Sequence, residues 1–204
     1  MEPGVYTDNR ELAEESSPRA PHHPPHHPET HWVAELWDIL KTMVVAFVIM
    51  LLLNVYVFNL SMVKGQSMEP TLKEQERLFV DKLVYWFMDP RQGEVVILKD
   101  PSMDAARKSF LVKRVVAVPG DTVEVRNQLL IVNDQPLNEV YTDALIEDGD
   151  MEELKLGEGQ YFVMGDNRHA GRSKDSRYFG SVSEELIIGR AEFVFWPVGR
   201  IRGL

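Results

Sequence analysis

The chain has 204 residues, with 22 Lys plus Arg against 32 Asp plus Glu and a formal net charge of −10. That excess of anions opposes binding to a nucleic-acid phosphate backbone, which is driven by cations and counterion release. The absence of cysteine excludes disulfides, thiolate catalysis and Cys-built zinc sites. About 140 residues remain outside a polar tail and an apolar run, enough for one globular core.

Residues 1–38 are Pro-, His- and acid-rich and lack apolar periodicity, so a disordered tail is predicted. Its clustered histidines are separated by prolines, with no scaffold to fix metal-ligand geometry. Thr42 to Leu60 contains no charged residue. At ~1.5 Å rise per residue the run reaches ~28 Å, close to the ~30 Å hydrocarbon thickness of a bilayer. A transmembrane anchor helix is therefore predicted within residues 39–60, with Trp32, Trp37 and Tyr56 in the interfacial belts. No small-x-small pair follows Phe58, which argues against a cleaved signal. Basic residues flank the run on both sides, Arg10, Arg19 and Lys41 before it and Lys64, Lys73, Arg77 and Lys82 after it, so charge leaves the orientation open.

Beyond residue 61 short β-type runs alternate with turn residues: RLFVDKLVY, EVVIL, SFLVKRVVAV, TVEV, QLLIV, QYFVM and LIIGRAEFVFW. Hairpin turns are expected at VRNQL and at Asn133-Asp134, and a break at Pro119-Gly120-Asp121. The only helical candidate is a short one around Glu184 to Leu186. Segment LVYWFMDP, 83–90, reads as a core strand running into a turn, or else as an aromatic surface lying against lipid. Asn138 to Gly159, acidic and turn-rich, reads as an inserted excursion. The fold class predicted is mainly β, an antiparallel barrel or sandwich preceded by one transmembrane helix.

Five of the six histidines precede the domain, and HExxH and GxSxG motifs are absent. A serine hydroxyl needs a base, and with His169 alone in a polar loop a lysine is the other choice. Lys113 interrupts the apolar run Phe110-Leu111-Val112-Lys113-Arg114-Val115-Val116, so one of Lys113 and Arg114 is expected to point inward and the other outward. A buried, unpaired ammonium loses its proton readily and becomes a competent base; an edge-strand lysine reaching solvent is the plainer alternative.

Three blocks, Gly65-Gln66-Ser67-Met68-Glu69-Pro70-Thr71-Leu72, Lys113 through Asp121, and Met164-Gly165-Asp166-Asn167-Arg168 leading to Ser173-Lys174-Asp175-Ser176-Arg177, closely resemble bacterial type I signal peptidases of the Gram-positive kind. The resemblance runs from the anchor nearly to the end of the chain, in the family's order. It implies a membrane-anchored serine endopeptidase with a Ser/Lys dyad that removes signal peptides from exported preproteins. The tail is then cytoplasmic and the domain lies on the outer side of the cytoplasmic membrane. It implies Ser67 as nucleophile and Lys113 as general base, Ser173 as the hydroxyl that hydrogen-bonds and orients the lysine, and Asp175 with Arg177 as a structural ion pair. Asp166, Asn167 and Arg168 shape the loop. The resemblance implies the Ser67 backbone N–H for the oxyanion hole; some relatives add a side-chain hydroxyl two residues earlier, where this chain has Gly65 as Gram-positive-like members do, and since losing such a donor typically costs ~3 kcal/mol a water or another backbone group is expected to substitute. RHAGR, 168–172, makes the link to Ser173 two residues longer than is usual in the family, which predicts a bulged loop with His169 on the surface.

By the same resemblance the substrate lies extended along strand edges near Phe58 to Val63 and Phe110 to Lys113, with pocket walls from Val63, Met68, Leu72, Leu111 and Val112 that admit small side chains of the Ala-x-Ala type. No cofactor and no metal is implied. Expected partners are signal-peptide-bearing preproteins and membrane lipid, not nucleic acid, and the expected state is a monomer. Two other readings stay open: a self-cleaving SOS-repressor-like Ser/Lys peptidase, and an inactive membrane-tethered β-domain that binds exported peptides.

Overall fold

The protein is described by a computed structural model covering Met1, residues 31–102 and residues 109–204. Most of the predicted tail, including His22, His23, His26 and His27, lies outside the described residues. Helix α1 runs from His31 to Leu52, and one wider π-type turn follows over Leu53–Val57. Glu35, Asp38 and Lys41 occupy the first half of α1, and among the described residues no helix is long and apolar enough to cross a membrane. The predicted single helix to Leu60 is corrected at its end. Phe58–Met62 is a strand, β1, in which apolar Phe58, Leu60 and Met62 alternate with polar Asn59 and Ser61.

Eleven further strands follow: β2 (Arg77–Asp81), β3 (Val95–Lys99), β4 (Phe110–Ala117), β5 (Thr122–Arg126), β6 (Leu129–Val132), β7 (Gln135–Pro136), β8 (Met151–Lys155), β9 (Gln160–Met164), β10 (Val182–Ser183), β11 (Ile187–Trp196) and β12 (Arg202–Gly203). All pair antiparallel. The larger sheet has the order β1-β2-β11-β3-β4-β9-β10, with β12 beside β11; the smaller has the order β7-β6-β5-β8. Asn127 and Gln128 both take positive φ, 51° and 67°, which lets a two-residue turn join β5 to β6 in step with the strand twist. Asn133 and Asp134, at 53° and 63°, repeat the device between β6 and β7.

The run Val95-Val96-Ile97-Leu98 is buried throughout because β3 is covered on both faces: Val95 and Ile97 pack with Met68, Leu72 and Leu78, while Val96 and Leu98 pack with Val115, Tyr161 and Val163. The same holds for the middle of β4, so Lys113 and Arg114 are both buried, correcting the expectation that one faces solvent. A third cluster, with Val123, Val125 and Leu130 of the small sheet against Val116 and Phe162, joins the sheets.

Three local expectations are also corrected. LVYWFMDP forms no strand: the Asp81 carboxylate accepts the Leu83 and Val84 N–H groups at 2.8 and 3.3 Å, which starts a short 3₁₀ turn and leaves Trp86 and Phe87 exposed. The excursion ends at residue 150, because Met151–Lys155 pairs with β5 as β8. Glu184–Leu186 is a single 3₁₀ turn, while a four-residue helix α2, Ser176–Phe179, is capped by the Asp175 side chain.

Candidate active site

Ser67 sits in the loop between β1 and β2. Its base is closed by Val63 N–H to Glu76 O (2.8 Å) and Gln75 N–H to Val63 O (3.0 Å), and Gly65 turns the chain at φ 81°. Buried Met68 and Leu72 anchor the far side in the core. Asn167 ties the loop down from β9's end: its N–H donates to Ser67 O at 3.1 Å and its side-chain amide to Gln66 O at 2.9 Å. The two peptide units that flank the Ser67 Cα are thereby both held.

Lys113 comes from β4, opposite Val96, and its Nζ lies 2.6 Å from Ser67 Oγ. Its ammonium form donates to that oxygen; its neutral form accepts the hydroxyl proton. Burial pushes the amine down from 10.5 to about 8, against the pull of the Asp175 and Asp166 carboxylates, which favour the charged form. The Ser67 N–H has no hydrogen-bond partner among the described residues and remains a donor for a developing oxyanion.

Arg114, the neighbour of Lys113, is neutralised by a bidentate pair with buried Asp166 (2.9 and 2.7 Å), donates to Gly93 O at 2.6 Å and lies over the Tyr141 ring. Asp175 pairs with Arg177 at 2.9 and 2.8 Å and accepts the Gly165 N–H at 3.0 Å. Burial alone would raise the Asp175 carboxyl, but Arg177 and these hydrogen bonds hold it below the usual range. Gly165 is required sterically: a Cβ there would stand 2.2 Å from Ser67 O and 2.3 Å from Ser173 Oγ.

Ser173 departs from expectation. Its Oγ is buried and meets no group with ordinary hydrogen-bond geometry, Lys113 included. Its nearness to Asp175 favours that carboxylate only weakly beside Arg177. The longer link before it is docked rather than splayed: Ala170 N–H and Gly171 N–H donate to Glu147 and Asp148 at 3.0 and 2.7 Å. His169 is exposed, as expected, with its Nδ1 3.0 Å from Glu147 Oε1 and its Nε2 3.9 Å from Asp143.

A cleft of about 560 Å³ opens at Ser67 and Lys113. Its sides are two strand edges that, among the described residues, have no neighbour: β1, which pairs there only with β2, and Phe110–Lys113, the half of β4 that pairs there only with β3. Val63, Met68, Leu111 and Val112 line the cleft; Leu72 does not, being wholly buried in the core beneath. Leu60, Ser61 and Ile97 also line it. Sequence reasoning named neither Ile97 nor Ser61 as a wall; the two-residue alternation of β1 carried that signal for Ser61.

Arg168 is the largest fully buried side chain. It donates to both Glu139 oxygens at 2.6 and 2.5 Å and to Gly165 O at 2.8 Å, fastening the 138–150 excursion to the loop that begins at Gly165. Arg168→Ala strands a nearly buried Glu139 carboxylate, and denaturant unfolding should show a loss of about 3–5 kcal/mol; a loss below ~1 kcal/mol would mean that the excursion is not held by this pair.

Comparison with known proteins covers this whole region. The family described as "Signal peptidase, peptidase S26" matches residues 36–196. The "Signal peptidase I P" of Bacillus subtilis subsp. natto is 38% identical over 175 residues, 81% of this chain and 91% of the relative. The "Signal peptidase I" of Bacillus licheniformis is 36% identical over 178 residues, 82% of this chain and 92% of that protein. A crystal structure of a signal peptidase I from Enterococcus faecalis V583 aligns with a TM-score of 0.41 at 28% identity, over 50% of this chain and 97% of that one. Since the match spans the Ser67 loop, the Lys113 strand and the segment from Gly165 to Arg177, the chain belongs to the signal peptidase family, peptidase S26.

Proposed function

We propose that this protein is a membrane-anchored serine endopeptidase that removes signal peptides from exported preproteins, with Ser67 as nucleophile and Lys113 as general base. The observation that carries the reading is the 2.6 Å approach of a buried, pKa-lowered amine to a serine oxygen. Neutral Lys113 takes the hydroxyl proton as Oγ attacks the scissile carbonyl. The oxyanion forms against the Ser67 N–H, and the resulting ammonium returns the proton to the leaving amine. Water, deprotonated by the same amine, then releases the acyl group from Ser67.

The two free edges beside the cleft suit a substrate that lies extended and pairs its backbone with β1, β4 or both. Val63, Met68, Leu111 and Val112 leave room for small side chains next to the scissile bond. Anchorage is supported by exposed apolar side chains along residues 43–53 and by the outward face of β1, β2 and β11. On that face Phe58, Phe79 and Phe193 stack at 5.4 and 5.0 Å. The tail is then cytoplasmic and the β-domain extracytoplasmic. Anchoring raises the effective concentration of the dyad where the substrate's own apolar segment ends.

The test is incubation of the protein in detergent or lipid with a preprotein at varied pH. Cleavage after a small residue is expected, with kcat/KM rising through about pH 8 as Lys113 loses its proton. A profile that falls over that range would contradict a neutral lysine as the base.

A further inference from the structure

Beyond the main cleft, a side chamber of about 130 Å³ continues from it, sharing Asn59, Ser61, Ile97 and Phe110 with the cleft wall. Its walls are apolar, from Val80, Ile97, Phe110 and Ile188, with Asn59 and Lys82 at its rim. The fold builds this chamber through a bulge. In β11, Ile187 pairs with Leu98 and Gly189 with the adjacent Ile97, so Ile188 is the extra residue, and it lines the chamber. Gly189 locks the bulge, because a Cβ there would stand 2.4 Å from Asp81 O. A cavity of this size matches a medium apolar group, since apolar cavities of roughly 150 Å³ take benzene.

We propose that this chamber is a distal subsite that takes the apolar side chain of the fifth residue before the scissile bond. The inference rests on the peptidase reading and deepens it. In an extended peptide every second side chain faces the same way, about 6.6 Å apart. Asn59 and Ser61 of β1, with Val63 just after it, follow in steps of two away from Ser67, and of the residues of β1 Asn59 and Ser61 alone line the chamber as well as the cleft. The residue before the scissile bond lies beside Val63 and Met68, the one two before it beside Ser61, and the one four before it beside Asn59 at the chamber mouth. Upstream residues run toward Asn59 because β1 begins where the apolar helical segment ends, on the side from which the apolar part of a membrane-held substrate must arrive. The partner chemistry is therefore a Leu- or Ile-sized side chain at the end of the signal's apolar segment.

The experiment uses the full-length protein in detergent and a series of preprotein segments identical except at that fifth residue, carrying Gly, Leu, Phe or Asp. Leu should exceed Gly in kcat/KM by about tenfold, the worth of burying a few methylenes in an apolar pocket. Ile188→Phe, which fills the chamber, should bring the Leu-to-Gly ratio toward unity, and Ile188→Ala, which enlarges it, should move the preference from Leu to Phe. Thermal melting checks that each variant is folded, and the opposite directions of the two changes separate pocket size from general damage. Cleavage that is indifferent to the fifth residue, or a preference unchanged in both variants, would overturn the subsite while leaving the peptidase reading intact. Failure of the wild-type protein to cut any member of the series or a natural preprotein would overturn both.

Discussion

Ser67→Ala protein should leave preprotein intact, with a rate lower than wild type by about 10⁴–10⁶-fold, as for other serine enzymes that lose the nucleophile. Ser67 is the hydroxyl placed to do this, since its oxygen lies 2.6 Å from Lys113 Nζ whereas Ser173 Oγ makes no hydrogen bond to that amine. Lys113→Ala should lose activity on the same scale, and the double variant should be no worse than either single one, because base and nucleophile act as a unit. Lys113→Arg should not rescue, since a guanidinium does not deprotonate in a protein. Appearance of mature protein and signal fragment on a gel or by mass spectrometry is the measurement. Substantial cleavage by Ser67→Ala would show that the nucleophile is elsewhere, and full activity in Lys113→Ala would remove the lysine from the chemistry.

Gly165→Ala is expected to fail by geometry rather than chemistry. A methyl group placed 2.2 Å from Ser67 O and 2.3 Å from Ser173 Oγ must displace one of them. Ser67 O is also held by the Asn167 N–H at 3.1 Å, so moving it shifts the backbone of Ser67, which carries the proposed nucleophile. A misplacement of about 1 Å costs on the order of 100-fold in rate, and overpacking of this kind costs about 1–3 kcal/mol in stability. Single-turnover cleavage should therefore fall by at least that factor in protein that still unfolds cooperatively. Unchanged turnover would mean that the Ser67 loop relaxes freely, and that the contacts with Gly165 and Asn167 do not position it.

The β character of the domain, the turns at Asn127-Gln128 and Asn133-Asp134, and the runs of β3, β4 and β11 were readable from the chain, because side-chain alternation and the left-handed tolerance of Asn are local properties. Ser67 and Lys113 were readable only as members of a familiar motif order; nothing in their spacing alone separates them from a turn serine and an edge lysine. Some expectations failed where a local pattern met a competing local group. Asp81 captured the N–H groups of Leu83 and Val84 and ended a strand, and the alternation in Phe58–Met62 drew the end of an apolar run into the sheet.

Other features have no local signature at all. Both Lys113 and Arg114 are buried because β3 and β9 flank β4 and the Ser67 loop and the excursion cover it, and only that enclosure allows Asp166 to neutralise one cation while the other is driven toward its neutral form. The fastening of Glu139 by Arg168, the steric demand at Gly165 and the bulge at Ile188 likewise arise between segments far apart in the chain. Composition and periodicity thus set which elements form. The distances, the dry surroundings of the amine and the shape of the cleft came from how those elements pack, because desolvation and close contact are properties of the assembled core and of no single stretch of residues.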